Sequence, residues 1–163
     1  MAALKPEVLV VMGVSGCGKS AVGQALAEVL KWKFYDADDF HPLQNIEKMQ
    51  RTEPLNDSDR EPWLKRLSSL IDSEHDQGLV LACSALKQRY RDTLSTNTHV
   101  TFIHLEGSYE LIATRMKARQ HFMPPTLLRS QFAALEPPAD AIAVSIDQDI
   151  PDIVDEILRQ LQS

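Results

Sequence analysis

Residues 13–20 read Gly-Val-Ser-Gly-Cys-Gly-Lys-Ser, a complete match to GxxxxGK(S/T). Glycines at 13, 16 and 18 break any regular element, so the stretch is a loop. Its flanks dictate what it joins. Glu7 to Met12 (EVLVVM) is an apolar run of the kind a strand buried on both faces requires. Lys19 to Leu30 places Val22, Leu26, Val29 and Leu30 on one helical stripe. A buried strand, a glycine loop and a helix in that order leave free backbone N–H groups at the helix start, where the dipole favours an anion. The strand also needs cover on both sides, so the chain must continue into a layered α/β fold.

The rest of the sequence supplies those layers. Lys33 to Tyr35 reads as a short strand ending in an acidic cluster, and Leu79 to Cys83, Val100 to Leu105 and Ile142 to Ile146 read as further strands. Asp59 to Ser73 carries Trp63, Leu64, Leu67, Leu70 and Ile71 at helical spacing. Pro151 suits a first helical turn, and Ile153, Ile157, Leu158 and Leu161 line a closing helix. Alternation of strand and helix predicts a parallel sheet between two helical layers, in one domain spanning residues 1–163. Ligands of such sheets bind at the carboxyl ends of the strands. The segments of interest are therefore Gly13 to Ser20, Asp36 to His41, Cys83 to Lys87, and the residues after Leu105.

The loop's chemistry follows from its residue types. Glycines let a phosphate chain approach bare backbone. Lys19 reaches the β- and γ-phosphates of a nucleotide, and the Ser20 hydroxyl is a ligand for Mg²⁺. The expected nucleotide contacts run from Gly13 through Val14, Ser15, Gly16, Cys17, Gly18, Lys19 and Ser20 to Ala21. Cys17 is read as a small space-filler; the alternative is a redox-sensitive thiol activated by the helix N-terminus.

The substrate is legible only through resemblance. Phe34, Tyr35, Asp36, Asp38, Asp39, Phe40, His41 and Pro42, continued by Asn45, Lys48 and Met49, resemble the second-strand motif of the gluconate kinases. Three further blocks are similar to that family in the correct order: Pro54 to Leu64, Leu81 to Asp92, and His121 to Pro138. The resemblance covers nearly the whole chain. Three departures accompany it: Thr52 stands where the family has Gly, one residue rather than two separates Arg119 from His121, and the stretch Pro138 to Ile142 is short.

The resemblance implies the three-layer fold of the P-loop kinases with a small lid at about residues 119–137, and ATP-dependent phosphorylation of gluconate to 6-phosphogluconate with Mg²⁺. It implies that Asp36 holds Mg²⁺ with Ser20, while Asp38 orients or deprotonates the attacking hydroxyl beside Lys19. Arg60 is the candidate for the substrate carboxylate, because a guanidinium pairs with it bidentately; a surface pair with Asp57 or Glu61 is the alternative. Lys87, Arg91 and His41 are candidate sugar-acid contacts. Arg115 and Arg119 lie one helical turn apart, and in related kinases one such arginine packs on adenine and another contacts the transferring phosphate. A homodimer is also implied.

Composition narrows the classes. The net charge of −6 disfavours nucleic acid as a partner. No segment reaches the roughly 20 apolar residues of a membrane span. Met1 to Lys5 lacks the features of a secretory leader, and two cysteines make no disulfide framework, so a cytoplasmic location is expected. The competing functions are another small-metabolite kinase of the shikimate kinase type and a non-catalytic nucleotide-binding module.

Overall fold

A computed structural model describes residues 4–118 and 125–163. Five parallel strands form one sheet: β1 (Val8–Met12), β2 (Lys33–Asp36), β3 (Leu79–Ala82), β4 (Val100–Glu106) and β5 (Ile142–Ser145), in the order β2-β3-β1-β4-β5. The helices are α1 (Lys19–Leu30), α2 (Leu43–Gln50), α3 (Asp57–Glu74), α4 (Gln88–Leu94), α5 (Tyr109–Ala118), α6 (Pro125–Ala134) and α7 (Ile150–Gln162).

The central strand explains the layering. Every residue of β1 is buried, and alternation sends successive side chains to opposite faces. Leu9 and Val11 join a core with Val22 and Leu26 of α1 and with Ile153 and Ile157 of α7. Val8, Val10 and Met12 join a second core with Trp63, Leu64, Leu67 and Ile71 of α3. Each face of the sheet is thus closed by helices. No described helix is long and apolar enough to cross a membrane.

Local signals set several boundaries. Helix α3 begins two residues before the predicted Asp59, because Asn56 caps it: its side chain accepts from the Asp59 N–H, and the Asp59 carboxylate accepts from the Asn56 N–H. Helix α1 matches its predicted span, but its buried stripe is Val22, Gly23, Leu26 and Ala27. Val29 is exposed, so its place in the apolar stripe is corrected. Thr52, the departure from the family's glycine, adopts φ 58° just after α2. A β-branched residue in that left-handed region is strained, which is the physical reason for a glycine there.

Candidate active site

The phosphate loop enters from β1 and leaves into α1. Gly13 donates its N–H to the Ser84 carbonyl, so the loop is tied to the segment after β3. The glycines serve packing more directly than the sequence alone implies. A Cβ at Gly13 would lie 2.8 Å from Cys17 Sγ and 3.0 Å from the Leu105 carbonyl oxygen, and one at Gly16 would lie 2.8 Å from the Met116 side chain of α5. Both residues adopt left-handed φ values. Cys17 is buried, and burial pushes its thiol pKa upward against the pull of Lys19. That is the behaviour of a space-filler and not of an activated thiol.

Lys19 Nζ donates to the Val14 carbonyl at 3.1 Å, folding the ammonium over its own loop. Ser20 Oγ donates to Asp36 Oδ2 at 2.6 Å. Asp36 ends β2 and its second oxygen accepts from the Asp38 N–H at 3.0 Å, which caps the 3₁₀ turn Ala37–Phe40. The fold therefore brings both expected metal donors into contact across 16 residues. Hydroxyl and carboxylate are hard oxygen donors suited to Mg²⁺. Among the described residues no group of three or more acidic, histidine or cysteine side chains could hold a metal by itself. A site of two protein oxygens suits an ion whose remaining ligands are phosphates and water.

Asp38 lies beside this pair. Its carboxyl is held above the usual range, first by the protein packed around it and next by the Asp36 carboxylate, with Lys19 opposing. Its side chain is 82% exposed, so the charge neighbour is the firmer of these causes. His41 Nε2 lies 3.8 Å from Asp38 Oδ1. The imidazole is buried, stacks on Trp63 at a centroid distance of 4.4 Å, and faces Asn45 Nδ2 with Nδ1 at 3.2 Å. With Asn45 donating, Nδ1 accepts and Nε2–H points toward Asp38. Burial, then the Arg60 charge, lower the His41 pKa to about 4. His41 and Asp38 are therefore not an ion pair at neutral pH despite their distance; desolvation outweighs an attraction to an exposed carboxylate. The structure thus sets a buried, neutral His41 beside Asp38.

Beyond His41 lies a cationic cluster. Arg60 Nη1 donates to the Leu55 carbonyl at 2.7 Å and to Tyr90 Oη at 3.2 Å, and its guanidinium stands 5.4 Å from the Tyr90 ring centroid. Neither Asp57 nor Glu61 pairs with it. Asp57 instead accepts from Lys87 Nζ at 3.1 Å, from Arg89 Nη1 at 3.0 Å and from the Tyr90 hydroxyl. Among the described residues Arg60 has no carboxylate partner, although it is half-buried. Arg91 departs from expectation. Its guanidinium is buried and donates to the carbonyls of Ala85, Leu86 and Glu136 and to Gln88 Oε1. Those bonds engage every N–H it carries, so it braces the loop after β3 and has no donor left for a sugar acid.

On the other side of the loop, Cys17, Gly18, Ala21 and Val22 line a cavity of about 480 Å³ with Arg115 of α5 and with Gln148, Asp149, Ile150, Pro151 and Ile153. Arg115 and Ala21 were expected at the nucleotide. The turn after β5 was not, although it too follows the carboxyl end of a strand. The expected contacts of Arg119, and His121 to Pro124 of the lid segment, lie outside the described residues. Of the rest of that segment, 125–134 form α6, packed beside α5.

A five-stranded parallel sheet with a phosphate loop at its centre and a Ser–Asp oxygen pair beside it defines a P-loop kinase of small molecules. The pattern of the shikimate kinase family matches residues 15–161. A thermosensitive gluconokinase of Escherichia coli strain K12 is 44% identical, over 92% of this chain and 84% of its own. A gluconokinase of Gluconobacter oxydans is 43% identical, over 98% and 94%. The crystal structure of a gluconokinase from Sinorhizobium meliloti 1021 superposes with a TM-score of 0.89 at 42% identity, covering 97% of this chain and 93% of that one. The chain belongs to the gluconokinase family.

Proposed function

We propose that this protein transfers the γ-phosphoryl group of ATP to the terminal hydroxyl of gluconate, giving ADP and 6-phosphogluconate. The observation that carries the substrate assignment is Arg60. It is a half-buried guanidinium without a carboxylate partner among the described residues, held by Leu55 and Tyr90 and close enough to His41 to bias its titration. Arg60 lies close enough to His41 to act on its charge, and His41 Nε2 lies 3.8 Å from Asp38 Oδ1, so a carboxylate receptor and a hydroxyl acceptor share one neighbourhood. A sugar acid phosphorylated at the carbon farthest from its carboxylate needs both groups.

The triphosphate would lie against the N–H groups of the loop and the start of α1, with Lys19 leaving Val14 for the β- and γ-phosphates. Arg115 would meet the nucleotide beside the cavity bounded by the β5–α7 turn. Ser20 and Asp36 would hold Mg²⁺, which would supply positive charge to offset that of the phosphates. Asp38 would accept a hydrogen bond from the attacking hydroxyl and aim its oxygen at phosphorus. In a loose transition state little proton removal is needed early, so positioning is its main contribution. His41 would keep Asp38 directed at the cleft, and Arg60 with Lys87 would hold the carboxylate. The homodimer implied by the resemblance is part of the same proposal and is tested by sedimentation.

Coupled ADP release across a panel of sugar acids and shikimate tests the assignment. ADP release that requires gluconate is the expected result. Preference for shikimate, or release independent of any sugar acid, would refute it.

A further inference from the structure

Ser15, the third residue of the phosphate loop, is gripped from a distant part of the chain. Its backbone N–H donates to Gln131 Oε1 at 2.6 Å, and Gln131 Nε2 donates to Ser15 Oγ at 2.9 Å. Both bonds span 116 residues, and the carboxamide uses both ends on one partner. Such a two-point clasp fixes direction as well as distance, which one hydrogen bond does not. Gln131 projects from α6, whose seat is set by buried Leu128, by Phe132 edge-on to Tyr109, and by Arg129 over the same ring.

The end of α6 makes a second connection. The Glu136 N–H donates to the Leu86 carbonyl at 2.8 Å, its carboxylate accepts from the Gln88 N–H at 2.8 Å, and its carbonyl accepts from Arg91 Nη2 at 2.7 Å. These bonds bracket Lys87, which is joined through Asp57 to Tyr90 and so to Arg60. One helix and the turn after it thus hold the phosphate loop at one end and the cationic cluster at the other.

We propose that Gln131 is a positioning residue of the phosphate loop, and that α6, through Gln131 and Glu136, couples the seating of nucleotide to the seating of the sugar acid. Ser15 cannot shift to fit a phosphate chain without moving Gln131 and the helix that carries it. Because that helix also anchors the segment around Lys87, each ligand fixes part of the other's site in advance. Reciprocity then requires each to tighten the other by the same factor. The inference rests on the kinase reading above for its turnover and coupling arms, and the exchange arm stands without it.

The test uses the full chain and three variants: Gln131→Met, which keeps length and bulk and removes both hydrogen bonds, Ser15→Ala, which removes one, and the double variant. Thermal melting checks that each folds. Three quantities are read: kcat and both KM values, the Kd of a non-hydrolysable ATP analogue with and without gluconate, and exchange of the Ser15 amide by NMR. In the unsubstituted protein gluconate should tighten the analogue by about 5-fold or more, within the usual range of coupling between sites. Gln131→Met should bring that factor close to 1, lower kcat by about 10-fold, shift analogue affinity without gluconate by less than about 3-fold, and speed Ser15 exchange. The double variant should cost less than the product of the single ones, since both remove the same contact. A kcat within about 2-fold of the parent, with the gluconate effect intact, would overturn the proposal. So would multiplicative variants or an unchanged Ser15 exchange rate in a folded Gln131→Met protein. If the parent protein turned over no gluconate, the functional assignment would fall, while the exchange measurement would still decide whether Gln131 holds the loop.

Discussion

Replacing His41 with Gln should flatten part of the protein's response to acid, by an amount that the burial of the imidazole sets. In the folded chain His41 titrates at about 4, against 6.5 for the ordinary side chain. Burial and the nearby Arg60 charge both oppose the imidazolium, and the exposed Asp38 carboxylate does not compensate. The unfolded chain takes up the proton first as pH falls, so stability from this group is complete above about pH 6.5 and is lost progressively toward pH 4. At about 1.36 kcal/mol per pH unit the whole effect is roughly 3 kcal/mol, of which about 2 kcal/mol is gone at pH 5. His41→Gln also loses ring stacking, but that offset does not vary with pH. Urea unfolding of both proteins at pH 7.5, 6 and 5 isolates the titration. The stability difference between parent and variant should shrink by about 2 kcal/mol from pH 7.5 to pH 5. A constant difference would mean that His41 titrates alike in the folded and unfolded chains. A difference that grows in acid would mean that an imidazolium pairs with Asp38 in the folded state, and the reasoning from desolvation would be wrong.

The oxygen pair and the cationic cluster give further predictions. Asp36→Asn should raise the Mg²⁺ requirement with partial rescue by excess metal, whereas Asp38→Asn should lower kcat by about 10²-fold without rescue; metal titration of steady-state rates separates them, and rescue of Asp38→Asn alone would exchange the two roles. Arg60→Gln should raise the KM for gluconate by about 10- to 100-fold, as expected for losing a charge-assisted pair worth about 1.5–3 kcal/mol, while the KM for ATP stays close to that of the parent. An unaffected gluconate KM would move the carboxylate receptor to Lys87. Thr52→Gly should stabilise the fold by about 0.5–1 kcal/mol, because it relieves a β-branched residue in left-handed backbone and offsets part of that gain with chain entropy. A drop in the urea midpoint would show that the turn is not strained.

The residue pattern alone determined the layered α/β architecture, all five strands, the phosphate loop and the acidic pair after β2. These are short-range matters: an apolar run long enough for a buried strand, glycines where backbone must turn, and two carboxylates two residues apart at a strand end. Helices α2, α4 and α6 were not legible, because none carries a long apolar stripe; Leu43, Ile46 and Met49 of α2 are exposed. Nor could the sequence say how cations are shared out. Arg60, Lys87 and Arg91 look alike in the sequence as basic candidates for the substrate, yet one lacks a carboxylate partner among the described residues, one is paired with Asp57, and one is saturated by backbone carbonyls and Gln88. That sorting depends on which acceptors meet each side chain in space, and Glu136 reaches Arg91 across 45 residues. The same holds for Gln131 on Ser15, and for the β5–α7 turn that bounds the cavity beside Arg115. A buried donor must find an acceptor, and only the packed chain decides which one it finds.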